Sequence, residues 1–277
     1  MMGTLAGGHS MFGVHRIQAE STRAFEATGS LTTDLPAWVA DAVAEGATLR
    51  TSVVAADHLA GAALQQASER AFSEALRALP GPPNRVWCFT PRITEPDEDG
   101  LNRYMRMNIG RSAAYAGIVE PTAPPAGTGV GHAGCCLVVH ALHVPGRSRS
   151  IENPRQRPAW RYSTRFGPCS PPFARATAVA SWVLASGTAS VVGESSLHDG
   201  DPVAQWHETM DNLRVLAGAS GLPGPWTSMT AYVSSSEVLS RLIAHLPAGA
   251  LDSMERVLVA PLCRSELLIE IEGAWHG

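Results

Sequence analysis

The 277-residue chain contains no lysine: all 21 of its basic residues are arginine. We read this as the codon bias of a GC-rich genome, and it has a chemical consequence. Without a lysine amine no side chain can form a Schiff base, which removes the enzyme classes built on one. Cysteine is scarce and odd in number, at Cys88, Cys135, Cys136, Cys169 and Cys263. There is no C-x-x-C pair and no accompanying histidine spacing, so neither a disulfide framework nor a metal site is expected, and a reducing cytosol fits best. No run of about 18 apolar residues occurs, and Met1-Met2-Gly3 leads into sequence without the basic flank and apolar run of a signal peptide. The expectation is a cytoplasmic protein with no membrane partner. A net charge of -4 and a pI near 6.2 give no reason to expect a nucleic-acid partner. No glycine-rich phosphate-binding fingerprint stands between a strand and a helix, so a nucleotide cofactor is not expected either.

What remains is an ordinary globular composition, 45% hydrophobic and 17% charged, long enough for one large domain or two of about 130 residues. Residues 57–79 read as a helix, with Leu64, Ala67, Ala71, Phe72, Ala75 and Leu76 at spacings of three and four. A strand over 85–93, a second helix over 101–115 interrupted at Gly110, a Pro/Gly-rich loop over 121–134 and a buried strand over 135–144 follow. Weaker signals place strands at Met11 to Ile17 and 48–54, and a short helix over 35–43 opened by Asp34 and Pro36. The polar stretch 146–158 divides this half from the next. Beyond it come a strand over 178–185, a kinked strand over 186–193, and a helix capped by Asp201 with Pro202 at its first position and Gly221 after its end. A strand over 227–233, a helix capped by Ser236 and running through Leu246, and strands over 256–262 and 267–275 complete the set. Helix, strand, helix, strand thus recurs, which suggests two homologous α+β units, 1–150 and 151–277, rather than one doubly wound sheet.

The last strand carries the most chemistry. With period two, Ile269 and Ile271 share one face, while Leu268, Glu270 and Glu272 share the other. A carboxyl group projecting from so apolar a strand is either turned to water or desolvated. In the second case its pKa rises and it becomes a general acid near neutral pH.

Several motifs together give a resemblance. Ser186-Gly187, Gly200-Asp201, Gln205, Asn212-Leu213, Thr230-Ala-Tyr-Val233 and Glu270-Ile-Glu272 resemble the Rid (reactive intermediate deaminase) superfamily. A more specific match, over about residues 85–277, is to the chorismatases, which are built from two Rid-like halves. It rests on Asn153-Pro-Arg-Gln156, Arg161-Tyr162, Gly167-Pro168, Ser170-Pro171, Phe173-Ala-Arg-Ala176, Ser186-Gly-Thr-Ala-Ser190 and Val192-Gly193, with Thr90-Pro-Arg-Ile93, Asn108 and Gly110-Arg111 in the first half. The resemblance implies an α+β fold of two Rid-like, chorismate-mutase-like mixed sheets with helices on one face. It also implies hydrolytic cleavage of the enol ether of chorismate, releasing pyruvate and a cyclic acid for secondary metabolism without metal or organic cofactor. Glu270 takes the position of the catalytic acid. Arg155, Arg161 and Arg175 become candidates for the substrate carboxylates, because a guanidinium pairs bidentately with them. Gln156, Tyr162 and the backbone at Gly187 and Thr188 join them as neutral donors. Cys263, seven residues before Glu270, and Ala176 fall at positions that separate product classes, and Cys263 tips the expectation toward 3-hydroxybenzoate over a dihydroxycyclohexadiene carboxylate.

Other readings stay open at this level. Cys169 stands where the resemblance leads one to expect arginine, which allows the same fold to act on another enol ether, ester or imine. A non-catalytic pocket that holds a small carboxylate is a third reading. Linked halves favour a monomer, with the trimer common among Rid proteins as the other choice.

Overall fold

In a computed structural model of the chain, which describes residues 13–15, 35–222 and 224–276, two mixed β-sheets lie face to face and each carries helices on its outer side. A short strand β1 (Gly13–His15) and helix α1 (Trp38–Ala44) precede the first unit. That unit runs β2 (Thr48–Ala55), α2 (Gly61–Arg77), β3 (Arg85–Pro91), α3 (Arg103–Tyr115), β4 (Ala126–His132) and β5 (Cys136–His143). Its sheet has the order β2-β5-β3-β4, with β3 and β4 parallel and the other pairs antiparallel. After β6 (Ser148–Ile151) and β7 (Ala176–Val179), the second unit begins with β8 (Trp182–Ala189). A small ribbon follows, β9 (Val191–Val192) against β10 (Ser195–Ser196). Then come α4 (Pro202–Ser220), β11 (Ser228–Val233), α5 (Ser236–His245), β12 (Arg256–Val259) and β13 (Ile269–His276).

The core of the second sheet has the order β8-β13-β11-β12, again with only the last pair parallel. In both units the first strand pairs with the last, the last with the second, and the second with the third. This shared topology is the repeat that the alternation of helices and strands suggested, and the two mixed sheets with helices on one face are the expected α+β class. β7 and β6 extend the second sheet beyond β8, and β1 extends it beyond β12. β6 therefore runs across residues 150 and 151 while belonging to the second sheet.

Strand alternation sorts the side chains. In β3, Val86 and Cys88 pack beneath α2 and α3 with Leu64 and Phe72, whereas Trp87 and Phe89 point at the other sheet. In β13, Ile269 and Ile271 pack beneath α4 and α5 with Trp206, Leu213 and Leu239. The opposite face of β13, with Glu270 and Glu272, is turned into the layer between the sheets. That layer is closed at one end by Trp38 against Trp87 and Trp182 with ring centroids 5.9 and 5.5 Å away.

Four expectations change. The stretch 121–134 is not all loop: β4 alternates Gly127, Gly129 and Gly131 with Thr128 and Val130, and the missing side chains conceal a strand from hydrophobic patterning. A Cβ at Gly127 or Gly129 would press on Arg111 and Phe173, or on Tyr104 and Cys88. Helix α3 runs unbroken through Gly110, whose place is set by the crossing with α2. There a Cβ would strike the backbone of Gln65 and Glu69 and lie 2.8 Å from the Ser68 side chain. The strand expected over 178–185 is instead the hairpin β7–β8, turned at Ala180 with φ of 50°. Helix α5 is capped by Ser235, which accepts from the Val238 amide at 3.2 Å, rather than by Ser236. The caps of α4 are as read, Asp201 accepting from the Val203 and Ala204 amides and Gly221 in the left-handed region at φ 67°. Of the strand expected over Met11 to Ile17, β1 accounts for Gly13–His15; the rest of that stretch, and Asp34, lie outside the described residues.

The α2–α3 crossing gives a direct test. Gly110→Ala raises intrinsic helix propensity yet should destabilise the protein by about 1–3 kcal/mol, because overpacking against backbone cannot be relieved by a rotamer change. Thermal denaturation of the variant against the parent reads this out as a lower Tm.

Candidate active site

Glu270 lies in the second strand of a three-strand run, between Ala189 of β8 and Tyr232 of β11. The pairing of β13 with β8 slips between Ile271 and Gly273, where β8 carries one extra residue at Ser186-Gly187. Bulges of this kind re-aim side chains beside functional sites. Here the bulge places Gly187 against the Glu270 carboxyl: a Cβ at Gly187 would overlap it. Ser186 pins the bulge by accepting from the Gly127 amide at 2.7 Å, and Thr128 does so by accepting from the Gly187 amide at 3.0 Å.

The two carboxyl groups on this face of β13 meet opposite surroundings. Glu272 is 1% exposed and accepts from Arg85, from Trp87 Nε1 at 2.9 Å, from Thr128 Oγ1 at 2.6 Å and from Tyr232 OH at 3.0 Å. Glu270 is 5% exposed, and no donor among the described residues hydrogen-bonds its carboxyl. Burial, and after it the neighbouring Glu272, push the Glu270 pKa up from the usual 4.5 to about 8, against the opposing pull of Arg85, Arg175 and Arg264. Near neutral pH it is a carboxylic acid. The desolvated reading of the last strand therefore holds, and the solvent-facing one does not.

The Glu270 carboxyl opens on a cavity of about 340 Å³. Five of the expected residues line it: Glu270, Cys263, Tyr162, Arg175 and Gly187. Arg175 donates through Nη2 to the Tyr162 hydroxyl at 2.6 Å and to the Arg157 carbonyl at 2.9 Å, while its buried Nε has no partner. Cys263 is a neutral thiol, its pKa pushed up to about 12 by burial and then by Glu270.

The other five stand elsewhere. Arg155 is held by Glu208 at 2.7 Å and Asn212 at 2.9 Å on the far side of the Asn153 turn. Gln156 is buried with its Nε2 on the Val191 carbonyl, and Arg161 is exposed and stacked on Trp160. Ala176 is buried beneath the helices of the second sheet, and Thr188, pointing away from the cavity, donates to the Ser186 carbonyl. Cys169 faces a neighbouring cavity and lies 2.9 Å from the Ser112 hydroxyl, so the position expected to hold arginine is not part of the Glu270 wall.

Three lining residues carry chemistry that motif reading did not assign. Arg111, 1% exposed on α3, donates through Nε to Tyr115 OH at 3.1 Å and leaves Nη2 buried without a partner. Arg264 stacks its guanidinium on Phe166 at 3.9 Å and on Tyr162 at 5.3 Å. Tyr104 adds a phenol whose pKa burial raises well above its usual value. Arg111 had a signal, since Gly110-Arg111 was a recognised motif, but a helical arginine four residues before a tyrosine reads equally well as a surface residue. Among the described residues neither Arg111 nor Arg175 has a carboxylate within ion-pairing distance, although the Glu152 carboxyl interacts with Arg175 from farther off. Buried cations are ordinarily paired, so two unpaired guanidinium groups beside a neutral acid form a site for an anion. Among the described residues no three His, Cys, Asp or Glu side chains converge as metal ligands.

Comparison with known proteins agrees across both units. A family model described as chorismatase FkbO/Hyg5-like, N-terminal, matches residues 26–143. A 3-hydroxybenzoate synthase of Streptomyces hygroscopicus is 35% identical over 211 residues, which is 68% of this chain and 62% of that protein. A chorismatase of Streptomyces rapamycinicus is 30% identical over 209 residues, with the same two coverages. The match thus spans 62% of the length of these curated relatives. A crystal structure of a chorismatase superposes with a TM-score of 0.69 at 27% identity, covering 82% of this chain and 74% of that one. The solved structure extends over both sheets, and the family model and the curated relatives match by sequence, so the chain is similar to the chorismatases in both of its units.

Proposed function

We propose that this chain cleaves the enol ether of chorismate to pyruvate and a hydroxybenzoate, using no metal or organic cofactor. The observation that carries the proposal is Glu270, a carboxylic acid near neutral pH at the wall of a cavity that also holds two unpaired buried arginines. Enol-ether cleavage begins with a proton delivered to the enolpyruvyl methylene carbon. The methylene becomes a methyl group, the adjacent carbon and the ether oxygen share an oxocarbenium charge, and the carboxylate left on Glu270 faces that cation. Among the described residues no donor competes for that carboxylate, so its charge is free to stabilise the intermediate.

Chorismate carries two carboxylates. Arg111 and Arg175 offer guanidinium N–H groups to them in a desolvated setting, with the Tyr162 hydroxyl as a further donor and Arg264 at the rim. The remaining candidates, Arg155, Gln156, Arg161, Ala176 and Thr188, act at most by shaping the segments that carry these groups. Two outcomes follow protonation. Water added to the cation yields pyruvate and a dihydroxycyclohexadiene carboxylate; loss of pyruvate without net addition of water yields 3-hydroxybenzoate. The second is favoured here by the neutral Cys263 thiol, by the apolar walls of Phe166 and Phe173, and by the 35% identity to a protein named 3-hydroxybenzoate synthase. The same reading takes 1–150 and 151–277 as the two halves, the second carrying the acid. It places the protein in the cytoplasm as a monomer. Five free cysteines, the absence of a helix long and apolar enough to cross a membrane among the described residues, and the burial of each sheet by the other within one chain support that setting.

Glu270→Gln keeps the shape and removes the proton. Its rate of pyruvate release should fall by about 10²–10⁴-fold in a coupled assay. The sign for stability is the reverse. A Glu pKa raised on folding lowers the stability of the parent as pH climbs from about 4.5 through about 8, so Glu270→Gln should melt at an equal or higher temperature than the parent at pH 8 and above. Retained turnover, or a loss explained by unfolding, would sink the assignment.

Turnover of the parent should decline as pH rises through about 8, as the acid form of Glu270 disappears. A rate that climbed through that range would point to a general base instead. Arg111→Met should raise KM for chorismate by about 10–100-fold, the worth of one charge-assisted contact, with a smaller effect on kcat. Initial-rate kinetics separate the two.

A further inference from the structure

The arrangement around β13 goes beyond an acid in a dry cavity. Glu272 lies two residues from Glu270 on the same strand face and makes no contact with the cavity. It is held by donors from three strands: Arg85 and Trp87 on β3, Thr128 on β4, and Tyr232 on β11. Thr128 is the hinge of this cluster. Its hydroxyl donates to Glu272 and accepts both from Arg85 and from the Gly187 amide, and Gly187 is the residue against which the Glu270 carboxyl rests. One fully satisfied carboxylate is thus wired through a single hydroxyl to the backbone that supports an unsatisfied one.

We propose that the Glu272–Arg85 pair is a positioning device for the acid: a caged charge pair on the strand face that carries Glu270, tied through Thr128 to the Gly187 backbone against which the Glu270 carboxyl rests. The proposal rests on the reading of Glu270 as the proton donor. A fold-stabilising role alone would need only a satisfied pair. It would not need the pair on the same strand face as the acid, one alternate residue away, where like charges repel. Two charges so close cannot both ionise without cost, and the four donors decide which of them does.

The groups that face Glu270 from its surroundings are few. They are Glu272 on β13, Arg85 and Cys88 on β3, Tyr232 on β11, Tyr104 and Arg111 on α3, Cys263 with Arg264 and Glu266 before β13, and Tyr162, Arg165 and Arg175 before β7. Burial keeps the Cys263 and Cys88 thiols and the Tyr232 phenol protonated through neutral pH, and the arginines stay cationic. Of the two carboxylates, Glu266 is half-buried and accepts from Ser196, whereas Glu272 is buried on the strand face of Glu270 and acts on it directly, so removal of Glu272 should leave Arg85 acting on Glu270 unopposed.

Opposite single variants separate this from a structural role. Glu272→Gln should lower the pH at which Glu270 ionises by about one unit or more, and Arg85→Gln should raise it by a similar amount. The double variant Arg85→Gln/Glu272→Gln removes both charges and should return it toward the parent value. It also guards against misfolding of a single variant that leaves one buried charge alone. The readout is the infrared carbonyl band of protonated Glu270, assigned by its loss in Glu270→Gln and titrated in the full chain without substrate. The alkaline limb of chorismate turnover is measured alongside. Opposite shifts in the two single variants, with recovery in the double, are the expected result. Unchanged titration of Glu270 in folded Glu272→Gln protein, or shifts of the same sign in both single variants, would overturn the inference. If the band shifts as expected while no variant and no parent protein releases pyruvate, the charge device stands and the proposed reaction falls.

Discussion

Two carboxyl groups projecting from one face of β13 into the layer between two sheets impose the constraint from which the site follows. A buried carboxylate must be matched by donors or give up its charge. Glu272 takes the first course, with a guanidinium, an indole, a hydroxyl and a phenol around it. Glu270, with none of these, takes the second. The same strand, the same side-chain type and nearly the same depth give opposite hydrogen-bonding surroundings because the donors of β3, β4 and β11 all converge on one position. Gly187 and the β8 bulge then leave the neutral acid room to face a cavity rather than a neighbouring side chain.

The duplicated topology explains why the cavity needs the whole chain. Arg111 comes from α3 of the first unit, and Gly127 and Gly129 come from its edge strand β4; Glu270, Cys263, Arg175 and Arg264 belong to the second. Neither sheet alone encloses an acid and an anion site. The first unit contributes a guanidinium and a floor without side chains, while the second contributes the proton. The Glu272–Arg85 pair crosses the same boundary, so the contact that fixes one sheet on the other also sets the electrostatics of the reacting group.

Much of this was legible in the sequence, for reasons that can be named. Period-two alternation in residues 267–275 put Glu270 and Glu272 on one face, and helical spacing in 57–79 found α2, because both depend on local geometry alone. What was missed depends on contacts made across the chain. β4 has glycine at every second position, so its sequence looks like a loop until Tyr104, Arg111 and Phe173 are seen to fill the space those side chains would have taken. Gly110 reads as a helix breaker until α2 is seen to cross it. Arg155 and Arg161 sit in the same motif-rich segment as Tyr162, yet the Asn153 turn and the stack on Trp160 direct them outward. Residues adjacent in a motif need not share a wall. Whether a carboxyl group faces water or a buried layer is likewise a property of the partner sheet, and the alternation of β13 alone could not decide it.

The absence of lysine fits the demands of this cavity. An acid that must keep its proton until the substrate arrives is best surrounded by groups that neither accept nor release one near neutral pH. A buried ammonium would be a poor neighbour, since desolvation can bring its pKa into the same range as that of Glu270 and allow the proton to be shared. Guanidinium groups hold their charge. Among the described residues no histidine lines the cavity, the Cys263 thiol is pushed up to about 12, and the Tyr104 phenol is raised well above the usual value. Glu270 is then the lining group with a proton to give between pH 7 and 9, and the arginines can hold an anion beside it without competing for that proton.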